Sequence, residues 1–131
     1  GDNLFGSTFA AYPAGYNTVF DFCLQLWTRG GDLFDERKKV KLNSIAAIEG
    51  MEFYRKALHN SNAIHPESAN FDSVKAGLAF ANGELAMMVN WFGFASMCEV
   101  MSESKVKGKV DVAMVPKGPF GKGISLNAYW M

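Results

Sequence analysis

The segment from residue 79 to residue 91 constrains the fold of this chain more than any other. A helical pattern stops at Asn82-Gly83, and a short apolar run, Glu84–Val89, follows at once. Such a run is typical of a buried strand, and it leads directly to Asn90 and Trp91. Ligands of open α/β sheets bind beyond the carboxyl ends of strands, so this junction predicts a binding position.

Helical and strand patterns alternate along the chain, which predicts an α/β fold. The predicted helices are Tyr16–Arg29, Ile45–His59, Ser73–Ala81 and Phe92–Ser102. The predicted strands are Leu4–Ala10, Glu84–Val89 and Lys109–Val115, with a last extended segment at Ile124–Met131. We expect Glu84–Val89 to be central in the sheet, because both of its faces are apolar.

The composition is that of one folded domain without a charge bias. The chain has 131 residues, and hydrophobic residues make up 49% of them, which is enough to form a core. The 13 basic residues balance the 13 acidic ones. A nucleic-acid-binding protein normally has a basic excess, so we expect no nucleic-acid partner. The residues at the two ends, Gly1-Asp2-Asn3 and Ala128–Met131, lead us to expect a piece of a longer protein.

The residues suited to catalysis or metal binding lie far apart in the sequence. His59 and His65 flank a loop without nearby cysteines, so surface histidines are favoured over a metal site. Cys23 and Cys98 lie within apolar stripes, which favours two buried thiols over a disulfide. We therefore predict no catalytic residue, no metal and no cofactor. A hydrolase that pairs Cys23 or Cys98 with His65 stays open as an alternative.

Aromatic residues are the strongest indication of a ligand. Four of them fall at predicted turns or segment ends: Tyr12, Trp91, Tyr129 and Trp130. The amides of Asn90 and Asn127 lie close to two of these rings in the sequence. A neutral amide bonds hydroxyls and an aromatic face covers a sugar ring, so the set suits an uncharged, polyhydroxylated ligand. Ordinary packing explains each single ring equally well, which leaves a purely structural or docking domain open.

Three motifs, in this order and spacing, resemble the extracellular solute-binding proteins of sugar ABC transporters, the maltose-binding-protein-like family. They are a Leu-Trp-x-x-Gly-Gly helix end at 26–31, a Phe-x-x-Gly-x-x-Ala-Met junction at 80–87 and a Pro-x-Gly-Pro loop at 116–119. Each motif alone is weak, but together they extend over nearly the whole chain. The resemblance implies one α/β lobe of the type II periplasmic-binding-protein kind, with a mixed sheet flanked by helices.

The resemblance also implies the architecture and the role of the whole protein. Residues 1–131 would be most of the C-terminal lobe, with the N-terminal lobe outside this chain. The protein would capture a sugar or polyol between two lobes and deliver it to the permease subunits of an ABC transporter, without catalysing a reaction. We expect a monomer that is periplasmic, or lipid-anchored outside the cell of a Gram-positive organism.

Site residues are carried over from the family position by position. Trp91, with Asn90 before it, occupies the place of a tryptophan that stacks on the sugar. Tyr12 lies in the turn before the first long helix, where the family places aromatics, and Tyr16 is a second choice. The segment after the Pro-x-Gly-Pro loop approaches the ligand in the family, which adds Asn127 and Tyr129. This chain lacks the glycine pair that is usual there.

Overall fold

A computed structural model of the protein describes residues 4–13 and 16–118. The helices are α1 (Asn17–Thr28), α2 (Ile45–Asn60), α3 (Ser73–Ala81) and α4 (Gly93–Val100), with a 3-10 helix at Pro66–Asn70. Each predicted helix is confirmed, and its ends lie within two residues of the predicted ones. Helical hydrogen bonds join residues four apart, so spacing along the sequence is enough to locate these elements.

Side chains and glycines define where the helices begin and end. The hydroxyl of Ser44 accepts the N–H of Ala47 at 3.3 Å and caps α2. The carboxylate of Asp72 accepts the N–H of Lys75 at 2.8 Å and caps α3. Each cap stabilises its helix by about 1 kcal/mol. At the other end of α1, Gly30 adopts a φ of 75°, a backbone conformation that glycine reaches at little cost.

Three extended segments lie side by side, with residues 5–7 in the middle. Phe5 forms a parallel bridge with Leu85, and Ser7 forms one with Ile64. The bridge to Leu85 rests on Phe5 N donating to Glu84 O and Ala86 N donating to Phe5 O, both at 2.8 Å. Within residues 4–13 and 16–118 these are isolated bridges and not continuous strands. The predicted mixed sheet is therefore not confirmed.

The prediction that Glu84–Val89 is a central strand is wrong within the described residues, where the 5–7 segment lies in the middle. Leu85 is 3% exposed, but Met87 is 64% exposed and Val89 is 46% exposed. The backbone hydrogen bonds that join residues 84–87 to another extended segment all go to Phe5 and Gly6 on one edge. Within the described residues, no segment covers Met87 and Val89. The predicted strand Lys109–Val115 is also open to solvent, because Val112 and Met114 are exposed.

The core lies between α1 and α2 and continues under α3 and α4. Its buried side chains include Cys23, Leu26, Ala47, Tyr54, Ala76, Ala79, Ala81, Leu85 and Cys98. Gly50 of α2 lies against the backbone of Gln25, which brings the two long helices close together. Gly77 of α3 lies directly against the ring of Phe94 and leaves no space for a Cβ atom there. Among the helices in these ranges, none is long and apolar enough to cross a lipid bilayer.

Candidate functional site

Tyr12 is held by its backbone while its ring stays open to solvent. Its N–H donates to Phe71 O at 2.9 Å, and its carbonyl accepts the hydroxyl of Thr18 at 3.2 Å. The residue as a whole is 46% exposed. The ammonium group of Lys75, in the first turn of α3, lies 6.0 Å from the ring centroid, at the limit of a cation–π contact. The residue is therefore positioned by the beginnings of α1 and α3.

Trp91 lies at the end of a row of aromatic rings along the first turn of α1. The centroids of Tyr16 and Phe20 are 5.4 Å apart, and those of Phe20 and Trp91 are 5.3 Å apart. The planes of Phe20 and Trp91 meet at 87°, the edge-to-face arrangement that aromatic pairs prefer. Trp91 is half-buried, so this packing fixes the indole and leaves part of it accessible.

Asn90 connects Trp91 to the beginning of α3. Its Nδ2 donates to Ser73 O at 2.8 Å and approaches Met88 Sδ at 3.3 Å. Its Oδ1 accepts the backbone N–H of Trp91 at 2.8 Å. One lone pair of Oδ1 remains for a ligand, and direct contact of Asn90 with a ligand stays a prediction.

The same two helix ends thus carry both predicted aromatic residues. Tyr12 is bonded to Thr18 of α1 and approached by Lys75 of α3. Trp91 packs on Phe20 of α1 and is tied through Asn90 to the first residue of α3. We refer to Tyr12, Tyr16, Phe20 and Trp91 as the Trp91 corner. The predicted residues Asn127 and Tyr129 lie outside the described residues.

Two residues at or next to this corner, Phe20 and Lys75, were not identified as site residues from the sequence. Phe20 belongs to the apolar stripe of α1, which indicated only a core residue, and it turns out to support Trp91. Lys75 had no sequence signal at all. Only its place in the first turn of α3, three residues after the Asp72 cap, directs it towards Tyr12.

His65 occupies a second aromatic cluster, which lies beside the 5–7 segment. The prediction of a surface histidine is confirmed for His59 but wrong for His65, whose side chain is 10% exposed. Its ring lies 4.8 Å from that of Phe5 and 4.9 Å from that of Phe71. We call Phe5, His65 and Phe71 the His65 corner. The ring is buried because His65 N donates to Ser7 O and draws the loop against the extended segment.

The polar atoms of the His65 corner are paired within the chain. His65 Nδ1 accepts the N–H of Glu67 at 3.1 Å, and Nε2 lies 3.3 Å from Glu84 Oε2. Next to this corner, the hydroxyls of Thr8 and Ser68 share a buried hydrogen bond of 2.6 Å. With both ring nitrogens engaged in this way, His65 is poorly placed to act as a base for a thiol.

The two cysteines are buried free thiols, as the sequence predicted. Burial raises the pKa of the Cys23 thiol. Burial, and then the charge of Glu99, raise the pKa of the Cys98 thiol. A raised pKa reduces the fraction of thiolate, which is the nucleophilic form. The geometry therefore does not favour the Cys/His hydrolase alternative. In the part of the chain that the structure describes, no group of three metal-ligating side chains comes together.

Asp21 of α1 is half-buried and carries a carboxyl group with a shifted pKa. Its Oδ2 accepts the N–H of Ala10 at 3.1 Å and so joins α1 to the segment that leads to Tyr12. Burial raises the pKa of Asp21 to about 6, and the Ala10 N–H and the Tyr54 hydroxyl oppose this rise. The Tyr54 hydroxyl is itself buried and, among the described residues, has no partner at good hydrogen-bonding geometry.

With this geometry established, comparison with known proteins defines the class. Residues 7–131 match the profile of the bacterial extracellular solute-binding protein family. The match extends over nearly the whole chain, and the chain belongs to this family. No curated protein sequence matches the chain significantly.

Two solved structures resemble the chain closely. The maltose-bound MalE3 of T. maritima is 30% identical and superposes with a TM-score of 0.84. An ABC transporter solute-binding protein from Agrobacterium radiobacter K84, in complex with ribitol, is 22% identical with a TM-score of 0.83. Each comparison covers 93% of this chain, but only 31% and 30% of the two solved chains. The chain thus shares the type II periplasmic-binding-protein fold of these structures. It spans about three tenths of the length of each of them.

Proposed function

We propose that this chain is part of the substrate-binding component of an ABC transporter for a sugar or a related polyol. The observation that carries the proposal is the Trp91 corner, where the backbones of Tyr12 and Trp91 are fixed and their rings remain accessible. Rigid, partly exposed aromatic faces suit the apolar side of a sugar ring. The two structural relatives, one bound to maltose and the other to ribitol, support this ligand class.

We further propose that the chain is most of a C-terminal lobe and that the ligand is captured between it and a second lobe. The limited share of the relatives that it covers supports this arrangement. So do the exposed Met87 and Val89, because strand residues that are covered in a complete sheet lie open in a partial one. Delivery to permease subunits, a monomeric state, and a periplasmic or lipid-anchored extracellular location follow from the same proposal. Trp91 and Tyr12 are its main ligand contacts, and Asn90, Asn127 and Tyr129 are further candidates.

An NMR titration of this chain tests the ligand class directly. Maltose and ribitol are each added to the ¹⁵N-labelled chain, with inorganic phosphate as the control solute. We expect millimolar concentrations of a sugar or polyol to shift the NMR signals of the Trp91 indole and of the Tyr12 backbone amide. Phosphate should shift neither signal. Substitution of Trp91 by alanine should weaken the response of the Tyr12 amide at least about fivefold and leave the rest of the spectrum in place. If the spectrum of the Trp91→Ala variant collapses and the parent chain shows no response to sugar, Trp91 has a structural role instead.

A further inference from the structure

The amide of Asn90 is almost fully used inside the chain. A carboxamide has two N–H donors and two acceptor lone pairs. One donor is directed at Ser73 O and the other at Met88 Sδ, at 2.8 and 3.3 Å. One lone pair accepts the Trp91 N–H at 2.8 Å. Asn90 is partly buried, so a donation to a sugar hydroxyl would require it to give up a contact that water does not fully replace.

These contacts fix the position of the residue that follows. Trp91 begins the turn into α4, where its carbonyl accepts the N–H of Phe94 at 3.0 Å. Its own N–H depends on Asn90, and its ring rests edge-on against Phe20. Without the amide, the backbone at Trp91 would lose its link to α3, and the indole would be held from one side only.

The anchor point also matters for Tyr12. Ser73 is the first residue of α3, and Lys75 in the same turn approaches the Tyr12 ring. Asn90 makes no bond to Tyr12, but it is bonded to the same helix turn whose Lys75 approaches the Tyr12 ring. The hydrogen bond from Asn90 to Ser73, which we call the clamp, therefore connects Trp91 to the turn of α3 that lies next to Tyr12.

We propose that Asn90 is a positioning residue that holds Trp91 against the first turn of α3, and not primarily a hydrogen-bond donor to the ligand. The inference rests on the proposed function, because a fixed separation of Trp91 and Tyr12 matters only if a ligand bridges them. A sugar then meets two aromatic faces that are already oriented, and less conformational freedom is lost on binding.

Two substitutions separate the bond that the amide donates to Ser73 O from the bond that it accepts from Trp91 N. Asn90→Ala removes donor and acceptor together. Asn90→Asp keeps an acceptor for the Trp91 N–H, but its carboxylate repels Ser73 O while it is ionised. Once protonated, the same group can donate to Ser73 O and accept from Trp91 N, as the amide does. Asn62→Ala is the matched control, because Asn62 is exposed in a turn away from α3.

Hydrogen exchange of the Trp91 backbone amide is the first measurement. We expect Asn90→Ala to speed this exchange at least tenfold, with Asn62→Ala unchanged. In Asn90→Asp the amide should remain protected at all pH values. Unchanged exchange in a folded Asn90→Ala chain would overturn the clamp. If Asn90→Ala does not fold, the protection and the pH profile of Asn90→Asp decide the matter.

Maltose titration by NMR is the second measurement, made on the same variants. We expect Asn90→Ala to weaken binding by roughly threefold to tenfold, within the range of coupled neighbouring residues. Asn90→Asp should be weak at neutral pH and recover as the pH falls, after correction for the parent chain at each pH. Asn90→Ala should cost nothing further in a Trp91→Ala background. An additional loss there, or no recovery at low pH, would identify Asn90 as a direct contact.

The two measurements distinguish failure of this inference from failure of the proposed function. A parent chain that does not respond to maltose or ribitol contradicts the proposed function, and with it the ligand role of the clamp. A parent chain that responds while Trp91 exchange is insensitive to Asn90 contradicts only the inference.

Discussion

The Trp91 corner and the His65 corner are built from similar residues but are closed to different degrees. In the His65 corner, one ring lies between two others, its nitrogens are engaged and its side chain is 10% exposed. In the Trp91 corner, the backbone groups are bonded while Tyr12 and Tyr16 stay exposed and Trp91 is half-buried. Aromatic clusters stabilise a fold when their faces are covered, and they bind ligands when a face is left open. The contrast indicates that the His65 corner is scaffold, and it supports the proposal that the Trp91 corner binds a ligand.

The largest expected effect is on stability, in the closed corner. Substitution of His65 by alanine removes two aromatic contacts and leaves Glu67 N without its acceptor. We expect a loss of about 3 kcal/mol in the free energy of unfolding, as for other large-to-small core changes. Urea denaturation measures it, with His59→Ala on the exposed face of α2 as the matched control. Equal losses in the two variants would show that the His65 corner is not a closed cluster.

The next effect depends on pH and concerns Asp21, which joins α1 to the segment that leads to Tyr12. Its pKa is raised from 3.8 to about 6, so the folded state holds the proton more tightly than the unfolded state does. The carboxyl group therefore costs stability above pH 6, and the cost disappears as the pH falls towards 4. With about 1.4 kcal/mol per pKa unit, the cost at neutral pH is of the order of 2–3 kcal/mol.

Asp21→Asn tests this sign. The amide keeps an acceptor for Ala10 N and stays neutral. We expect the variant to be more stable than the parent chain by about 2–3 kcal/mol at pH 7, and nearly equal to it at pH 4. Thermal unfolding at several pH values measures the difference. A variant that is less stable at pH 7 would show that the charged form of Asp21 is favoured by its surroundings.

The third effect should appear in binding and not in stability, which is the reverse of the His65 result. In the full-length protein, Trp91→Ala is expected to weaken sugar binding by about 1–3 kcal/mol, the usual cost of losing an aromatic contact. The melting temperature should change little, because the indole is only half-buried. Calorimetry and thermal unfolding of the same preparation measure both quantities. A large fall in melting temperature with unchanged affinity would make the two corners equivalent.

The smallest expected signal is binding by this chain alone. One lobe supplies only part of the contacts, while association still costs roughly 4 kcal/mol or more in lost translation and rotation. We expect a Kd for maltose or ribitol in the millimolar range or weaker, measured by isothermal calorimetry. Micromolar binding would mean that the chain holds a complete site, and the proposal of a half-site would then be wrong.

Long-range pairings were only partly accessible from the sequence. Glu84–Val89 was predicted as a central strand, but only Leu85 forms a bridge, to Phe5, and the exposure of Met87 and Val89 was not foreseen. An apolar pattern shows which faces can be covered, and it does not show whether a covering segment is present. The predicted positions of Trp91 and Tyr12 at one site are supported by shared contacts with α1 and α3, whereas their contact with a ligand stays a prediction.

The sequence by itself determined the helices, the turns and the family. Caps such as Ser44 and Asp72, glycines such as Gly30 and the apolar stripes act over a few residues, so their effect can be worked out locally. Tertiary structure alone decided that His65 is buried, that Phe20 supports Trp91 and that the Asn90 amide is bonded to Ser73. Each of these outcomes depends on residues far apart in the chain, and no local pattern encodes which of them will meet.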